Sequence, residues 1–259
     1  MVLTRGVFPL LTSKKVAMKS TLTLLAMLLL VGEVAAQTQT ERFNFISIRI
    51  GQTRALGDYA ETVFNQDTRN AGFAEGGFHF NVEGGRFFNK TFGVGAGLSL
   101  SFNGLDDRAL VEEALVAVPE LSSLTVDASS YTNITFLVGP YARLLPITSR
   151  LSIVAIAKVG AMVSTRPSTD ITWQEANGPS RTVGFDGASG SGIAFSVGAA
   201  LKARIKGSIE IGSQVEFVSS KQTYGYFGYD PRLGWVYIEG GDQQVDLLNF
   251  GFGIAYILP

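Results

Sequence analysis

The stretch from Phe92 to Asn103 reads Phe-Gly-Val-Gly-Ala-Gly-Leu-Ser-Leu-Ser-Phe-Asn. One parity holds Phe92, Val94, Ala96, Leu98, Leu100 and Phe102, and the other Gly93, Gly95, Gly97, Ser99, Ser101 and Asn103. Side chains alternate faces along a strand, so the pattern describes one apolar face and one face of glycine and small polar groups. A half-buried strand of a soluble sandwich also alternates, but its polar face usually carries Lys, Glu or Thr to meet water. Here that face has almost no side-chain volume. Such a face suits the interior of a narrow closed barrel, with lipid outside.

The alternation recurs along the chain. Ile46, Ile48 and Ile50 alternate with Ser47, Arg49 and Gly51, and Phe78, Phe80 and Val82 with His79, Asn81 and Glu83. Ile134, Phe136 and Val138 alternate with Asn133, Thr135 and Gly139, interrupted by Leu137. Ile153 to Val163 is apolar on one parity, with Lys158 and Gly160 opposite; Val154, Ile156 and Met162 add apolar surface to that second side. Ile193, Phe195, Val197, Ala199 and Leu201 oppose Ser196, Gly198 and Lys202. Ile209, Ile211, Val215 and Phe217 oppose Glu210, Gly212, Gln214 and Glu216. Finally, Phe250, Phe252, Ile254 and Tyr256 oppose Asn249, Gly251, Gly253 and Ala255.

With the opening stretch this makes eight strands. None has a charge in the middle of its apolar parity, where facing lipid would cost ~2–4 kcal/mol. Arg49, Glu83, Lys158, Lys202, Glu210 and Glu216 all take the other parity and form an expected lumen charge network. The fold class expected is all-β, an eight-stranded antiparallel up-and-down transmembrane β-barrel. A ten-stranded ring is the variant if loop segments join the wall.

The N-terminus is consistent with export. Met18-Lys19, the apolar run Leu22 to Val31, and Val34-Ala35-Ala36 read as a basic start, an apolar core and a small-residue exit. Residues 1–36 are therefore expected to be a signal peptide, with 1–17 a misassigned upstream start, and 37–259 the barrel domain. The apolar run is shorter than the roughly 20 residues a spanning helix needs. Removing Arg5, Lys14, Lys15, Lys19 and Glu33 from 21 basic and 22 acidic residues leaves a net charge of −4. No basic surplus points to nucleic acid. With no Cys among 259 residues, disulfide and thiolate chemistry are excluded.

Connections alternate between short and long. Short ones surround Asn89-Lys90, Leu145 to Thr148, and Ile205-Lys206-Gly207; long ones cover 52–74, 104–128, 165–190 and 219–244. Short periplasmic turns and long outer loops are the outer-membrane arrangement. Acidic residues outnumber basic ones about two to one in the long loops, whereas the short turns carry Lys90, Arg143, Arg150, Arg204 and Lys206. Asp106 to Val118 has helical spacing ended by Pro119. The fourth loop holds Tyr224, Tyr226, Phe227, Tyr229, Trp235 and Tyr237 around an Asp230-Pro231 turn, which reads as a hairpin arm above the membrane. Matching Leu201 with Ile211 makes Ile205-Lys206-Gly207 a three-residue loop and sets Lys202 opposite Glu210.

Together these features resemble the small outer-membrane β-barrel family, whose members include the OmpA-type and OmpX-type barrels. The resemblance covers Phe43 to the C-terminus. It implies an integral outer-membrane location, contact with outer-membrane lipid and lipopolysaccharide, and delivery by the barrel-assembly machinery. It assigns the assembly signal to Phe250, Phe252, Ile254 and Tyr256, although Ile257-Leu258-Pro259 departs from the usual aromatic ending.

The function expected is that of a structural or interaction scaffold with a closed lumen, presenting acidic, aromatic loops to an extracellular or envelope partner. The alternatives are a narrow channel, a hydrophobic-ligand conduit past Val154, Ile156 and Met162, or a subunit of an envelope or secretion complex. No enzyme is expected. The one histidine, His79, points into the lumen with no acid/base partner evident, Gly93-x-Gly95-x-Gly97 lacks the helix of a phosphate loop, and no metal-ligand spacing occurs. Neither a catalytic, a metal nor a cofactor residue is assigned. We expect N-terminal sequencing of protein from the outer-membrane fraction to begin at Gln37; recovery of soluble periplasmic protein would contradict the barrel.

Overall fold

The computed structural model describes residues 42–63, 71–117, 121–146, 150–175, 178–230 and 234–258. The expected signal peptide and the turn tip at Pro231 lie outside them. Period-two alternation becomes β1 (Phe43–Leu56), β2 (Ala74–Phe87), β3 (Phe92–Leu105), β5 (Tyr131–Pro146), β6 (Leu151–Thr165), β9 (Ser189–Lys206), β10 (Ile209–Asp230) and β11 (Gly234–Leu258). Three shorter strands, β4 (Leu121–Ala128), β7 (Thr169–Glu175) and β8 (Ser180–Phe185), and a helix, α1 (Asp107–Ala117), lie in the long connections.

The eight long strands form one closed ring in the order β1-β11-β10-β9-β6-β5-β3-β2. Every neighbouring pair is antiparallel, and β1 meets β11 from Asn44↔Leu258 to Leu56↔Asp246. Closure removes the unpaired edges that lipid would not tolerate. The loop strands do not join this wall. They form a separate sheet in the order β4-β7-β8, so the ring has eight strands.

The wall is apolar outward. Ile193 is 78% exposed, and Phe252 and Ile254 are each 59% exposed. A soluble protein would bury such residues. On β11 the outward apolar positions run from Leu258 to Leu248 before Asp246. That is about 33 Å of strand at roughly 3.3 Å per residue. Tilted by about 40°, it covers about 25 Å, the height of an outer-membrane belt. On β1 the outward residues turn polar earlier, Gln52 and Arg54 pairing with Phe250 and Leu248.

Asn89 closes the first short turn, its Oδ1 accepting from the amides of Thr91 at 2.8 Å and Phe92 at 2.7 Å. The third short turn corrects the expected register. Ile209 pairs with Lys206, then Glu210 with Arg204 and Ile211 with Ala203, leaving Ile205 as a bulge. The loop is Gly207-Ser208, with Gly207 at φ +54 in the first central position. Lys202 therefore faces Gly212, and Glu210 faces Arg204. Above the belt, β10 and β11 continue as one hairpin to Asp230↔Gly234, the expected arm.

Two glycines should separate turn cost from wall cost. A Cβ on Gly207 meets nothing within 4 Å, so Gly207→Ala should cost only the left-handed strain of about 1–2 kcal/mol. A Cβ on Gly253 would stand 2.0 Å from the Ile48 carbonyl oxygen and 2.5 Å from Arg49 Cγ. Gly253→Val should abolish the heat-modifiable folded band on gels, while Gly207→Ala keeps it with a lower urea midpoint.

Candidate functional site

The inward parity of the ring fills its interior in three layers. The innermost, nearest the short turns, is aromatic. Phe43 stacks on Phe87 at 4.8 Å, and Tyr141 meets Phe45 and Phe87 edge-on at 5.7 and 6.5 Å. Val154, Ile156 and Ala200 complete this cluster. The Arg143 guanidinium lies 5.3 Å from both the Phe43 and Phe87 rings and 3.5 Å from Glu210. Arg204 reaches the same carboxylate at 3.4 Å. Arg143 and Arg204, read from the sequence only as turn charges, are thus the partners of Glu210. Extending the Ser47/Arg49 parity back to Phe45, and that of Gly139 on to Tyr141, is the signal that would have found this layer.

The middle layer is ionic. Arg49 pairs with Glu83; Lys158 bridges Glu83 at 3.8 Å and Glu216 at 2.7 Å. Arg49 also donates to Asn81 Oδ1 at 2.7 Å and Ser47 Oγ at 3.1 Å. Glu216 accepts from Ser196 at 2.5 Å and from Gln214 at 2.7 Å. Two cations thus face two carboxylates, with hydrogen bonds to Arg49 and Glu216, and pairing of that kind is what makes buried charge tolerable. Lys202 stands apart. Among the described residues it meets no carboxylate at ion-pair distance, and its ammonium lies 4.7 Å from the Phe45 ring. The six luminal charges named from the sequence therefore divide into a four-residue chain, a Glu210 group and a cation–π contact.

His79 also belongs to the middle layer. Its Nδ1 lies 3.0 Å from Ser101 Oγ, the cross-strand neighbour. A serine beside a histidine is the core of a nucleophilic pair. Here His79 is 5% and Ser101 3% exposed. Among the described residues no carboxylate hydrogen-bonds to either of them.

The outer layer lies at the mouth. A single 3-10 turn, Gly57–Tyr59, brings Tyr59 over the opening, where it is fully buried. Its hydroxyl accepts from Asn133 Nδ2 at 3.1 Å, and its ring meets Tyr131 at 5.0 Å. Tyr131 donates to the Gly72 carbonyl at 2.5 Å, holding the far end of the same connection. Across the mouth, Tyr224 donates to Ser164 at 2.8 Å beneath Arg166, whose guanidinium sits 4.0 Å from the Tyr224 ring and 3.0 Å from Gln243 Oε1. Sequence reading missed this layer because Tyr59 and Arg166 come from connections, where the barrel imposes no alternation, and meet the strand residues Tyr131, Asn133 and Tyr224 only in the fold.

Outside the ring, one face of the small sheet carries Val126, Ile171 and Val183 in register, with Leu124, Trp173 and Phe185 nearby. The other carries Thr125, Thr172 and Thr182, and Asp127 beside Asp170. α1 packs on β4, and Val126 is buried. Ser129 and Ser168 tie the strands' bases together, the Ser168 amide donating to Ser129 Oγ at 3.0 Å. Every residue of β8 is exposed. On the arm, Lys221 pairs with Asp242 at 2.5 Å, and with Thr223 holds that carboxyl below its usual range. The assembly residues assigned by resemblance, Phe250, Phe252, Ile254 and Tyr256, all lie on the outward face of β11.

Removing one member of the ionic chain should be worse than removing a neutral hydrogen bond. Glu83→Gln leaves Arg49 and Lys158 facing one carboxylate and should cost about 3–5 kcal/mol. Ser101→Ala should cost about 1 kcal/mol. Urea unfolding in lipid vesicles measures both, and equal effects would mean that the charges are solvated.

No family model and no curated protein matches the chain. Among solved structures, Ail, the attachment invasion locus protein of Yersinia pestis, is 16% identical, with 84% of this chain and 99% of that chain covered and a TM-score of 0.41. A major outer membrane protein of Thermus thermophilus is 12% identical over 84% and 100%, at 0.46. The outer membrane protein OprG of Pseudomonas aeruginosa is 11% identical over 86% and 99%, at 0.40. The belt, the closed ring and the filled interior speak for themselves: with an apolar wall about 25 Å high around charges that meet inside, the chain is an integral outer-membrane β-barrel.

Proposed function

We propose that this barrel is a non-conducting scaffold that presents its outer sheet and arm to a partner outside the membrane. The observation that carries the reading is the three-layer filling of the lumen. Eight strands enclose only enough room for side chains. Here the aromatic floor, the ionic chain and the Tyr59–Tyr131–Tyr224 mouth occupy successive levels. A water path would have to break all three. On this reading Val154, Ile156 and Met162 pack the interior and do not line a conduit, since none is more than 4% exposed.

The outer end supplies what the lumen withholds. Phe185 is 56% and Val183 40% exposed on a rigid sheet beyond the ring. Around them the loops are acidic, so the partner would present apolar and basic groups. The reading assigns no catalysis, because His79 and Ser101 sit beneath the closed mouth. It keeps lipopolysaccharide and outer-membrane lipid as the belt's surroundings. The barrel-assembly machinery would read the outward face of β11.

Planar-bilayer recording of refolded protein tests the closed lumen. Silence, or rare brief openings, is the expected result. Stable single-channel openings altered by Lys158→Met or Glu216→Gln would replace the scaffold reading with a channel. Because the chain has no cysteine, Phe185→Cys gives one unique handle. In intact cells it should cross-link to a partner that Ile254→Cys, on the lipid face, does not reach.

A further inference from the structure

The ring has no free edge, but the small sheet does. β8 pairs with β7 on one side and with nothing among the described residues on the other. Its full exposure leaves a row of amides and carbonyls open to water. Natural sheets usually blunt such an edge with proline, a bulge or charged side chains, and β8 carries only Arg181 of these. Ser180-Arg181-Thr182-Val183-Gly184-Phe185 has no proline, and its pairing with β7 runs without a register shift. We propose that β8 is a docking edge on which an extended peptide segment of a partner adds as a fourth strand, in apolar–basic–apolar order. The proposal rests on the scaffold reading only for the partner's location outside the membrane.

The register defines the peptide. Directly opposed residues of an antiparallel pair share a face. Val183 and Phe185 lie on the face of Ile171 and Trp173, so the residues facing them are apolar. Gly184 lies on the other face, in line with Asp170 and Asp127. Asp170 Oδ1 stands 2.7 Å from where a Gly184 Cβ would be. The carboxylate therefore lies over Gly184 and reaches toward the open edge with no side chain between. An incoming residue opposite Gly184 would meet that carboxylate, and a lysine or arginine complements it. Asp127 behind it adds a like charge, which the same cation would relieve. Opposite Thr182 a threonine fits the Thr172–Thr182 hydroxyl row, and opposite Arg181 an acidic residue. Read in its own direction, the added strand is apolar–Lys–apolar–Thr–Glu. Backbone bonds would give the affinity and the alternating side chains the selectivity. A second copy of the chain fits less well, because its own β8 would set Thr182 rather than a cation against Gly184 and bring two acidic outer ends together.

The probe is a fluorescein-labelled peptide, Ser-Val-Lys-Val-Thr-Glu-Ser, titrated by anisotropy against the refolded full-length barrel in detergent. Saturable binding is expected. Asp170→Lys should weaken it about fivefold or more, and Ser-Val-Glu-Val-Thr-Glu-Ser should recover it on that variant. The folded, heat-modifiable band confirms that each variant is intact. Two further peptides carry N-methyl groups on alternate amides. One set should abolish binding and the other leave it within about twofold, because only every second amide of an added strand faces its neighbour. Equal tolerance of both sets, no saturable binding at millimolar peptide, or a dimer lost on Val183→Lys would each overturn the docking edge. Those outcomes leave the scaffold reading standing if Phe185→Cys still cross-links to a partner. Conductance with intact peptide binding would do the reverse.

Discussion

An amide in hydrocarbon has no water to fall back on, and each one left unpaired costs several kcal/mol. That constraint brings β1 to β11 and shuts the ring. Once the ring is shut, the alternation of side chains has only two destinations, lipid and lumen. The wall can be as apolar as Ile193 and Phe252 make it, because lipid meets it. The interior has the opposite problem. It is too narrow for bulk water and too polar along its backbone-facing positions to be left empty, so side chains must satisfy one another there.

The layers show how that is done with few residues. Glu83 is shared by Arg49 and Lys158 as ion-pair partners, and Glu216 by Lys158, Ser196 and Gln214, so each carboxylate serves more than one neighbour. Glycines on the same parity give this chain its room, as where Arg49 lies against Gly253. Aromatic rings lie on both sides of the ionic level, and ion pairs in such low-dielectric surroundings are stronger than in water. The membrane-spanning part of the molecule is in this sense a core turned inside out, apolar without and charged within. What differs most from that economy is the outer sheet, where apolar residues are exposed with no lipid to meet them.

How much of this was legible in the sequence follows from which positions lipid constrains. Ile46, Phe80, Leu98 and Phe252 had to be apolar, so the eight strands and their parities could be read directly. So could the helix at Asp107–Ala117, whose spacing is local. Register was harder. Outward apolar residues repeat every two positions, so any even slip between β9 and β10 preserves the match of faces. Placing Leu201 against Ile211 satisfied that rule as well as the observed Ala203 against Ile211 does, and the turn at Gly207-Ser208 with the bulge at Ile205 separates them. The mouth was illegible for another reason. Tyr59 and Arg166 come from connections that face neither lipid nor lumen in sequence terms, and their burial is tertiary. β8 left no trace because both of its faces meet water.

The seam between β1 and β11 has a consequence in time. The two strands that must pair to complete the wall are separated by nearly the whole described chain, so the contact that makes the structure compatible with lipid is the one of longest sequence separation. Contacts of that kind form slowly, because the loop between them must be closed first. Until β11 arrives, β1 and β10 each present an open row of amides that hydrocarbon rejects. The barrel therefore cannot enter a bilayer strand by strand as it is made, the way a helical protein does. It must wait, with the β1–β11 and β10–β11 pairings unmade, until its last strand exists.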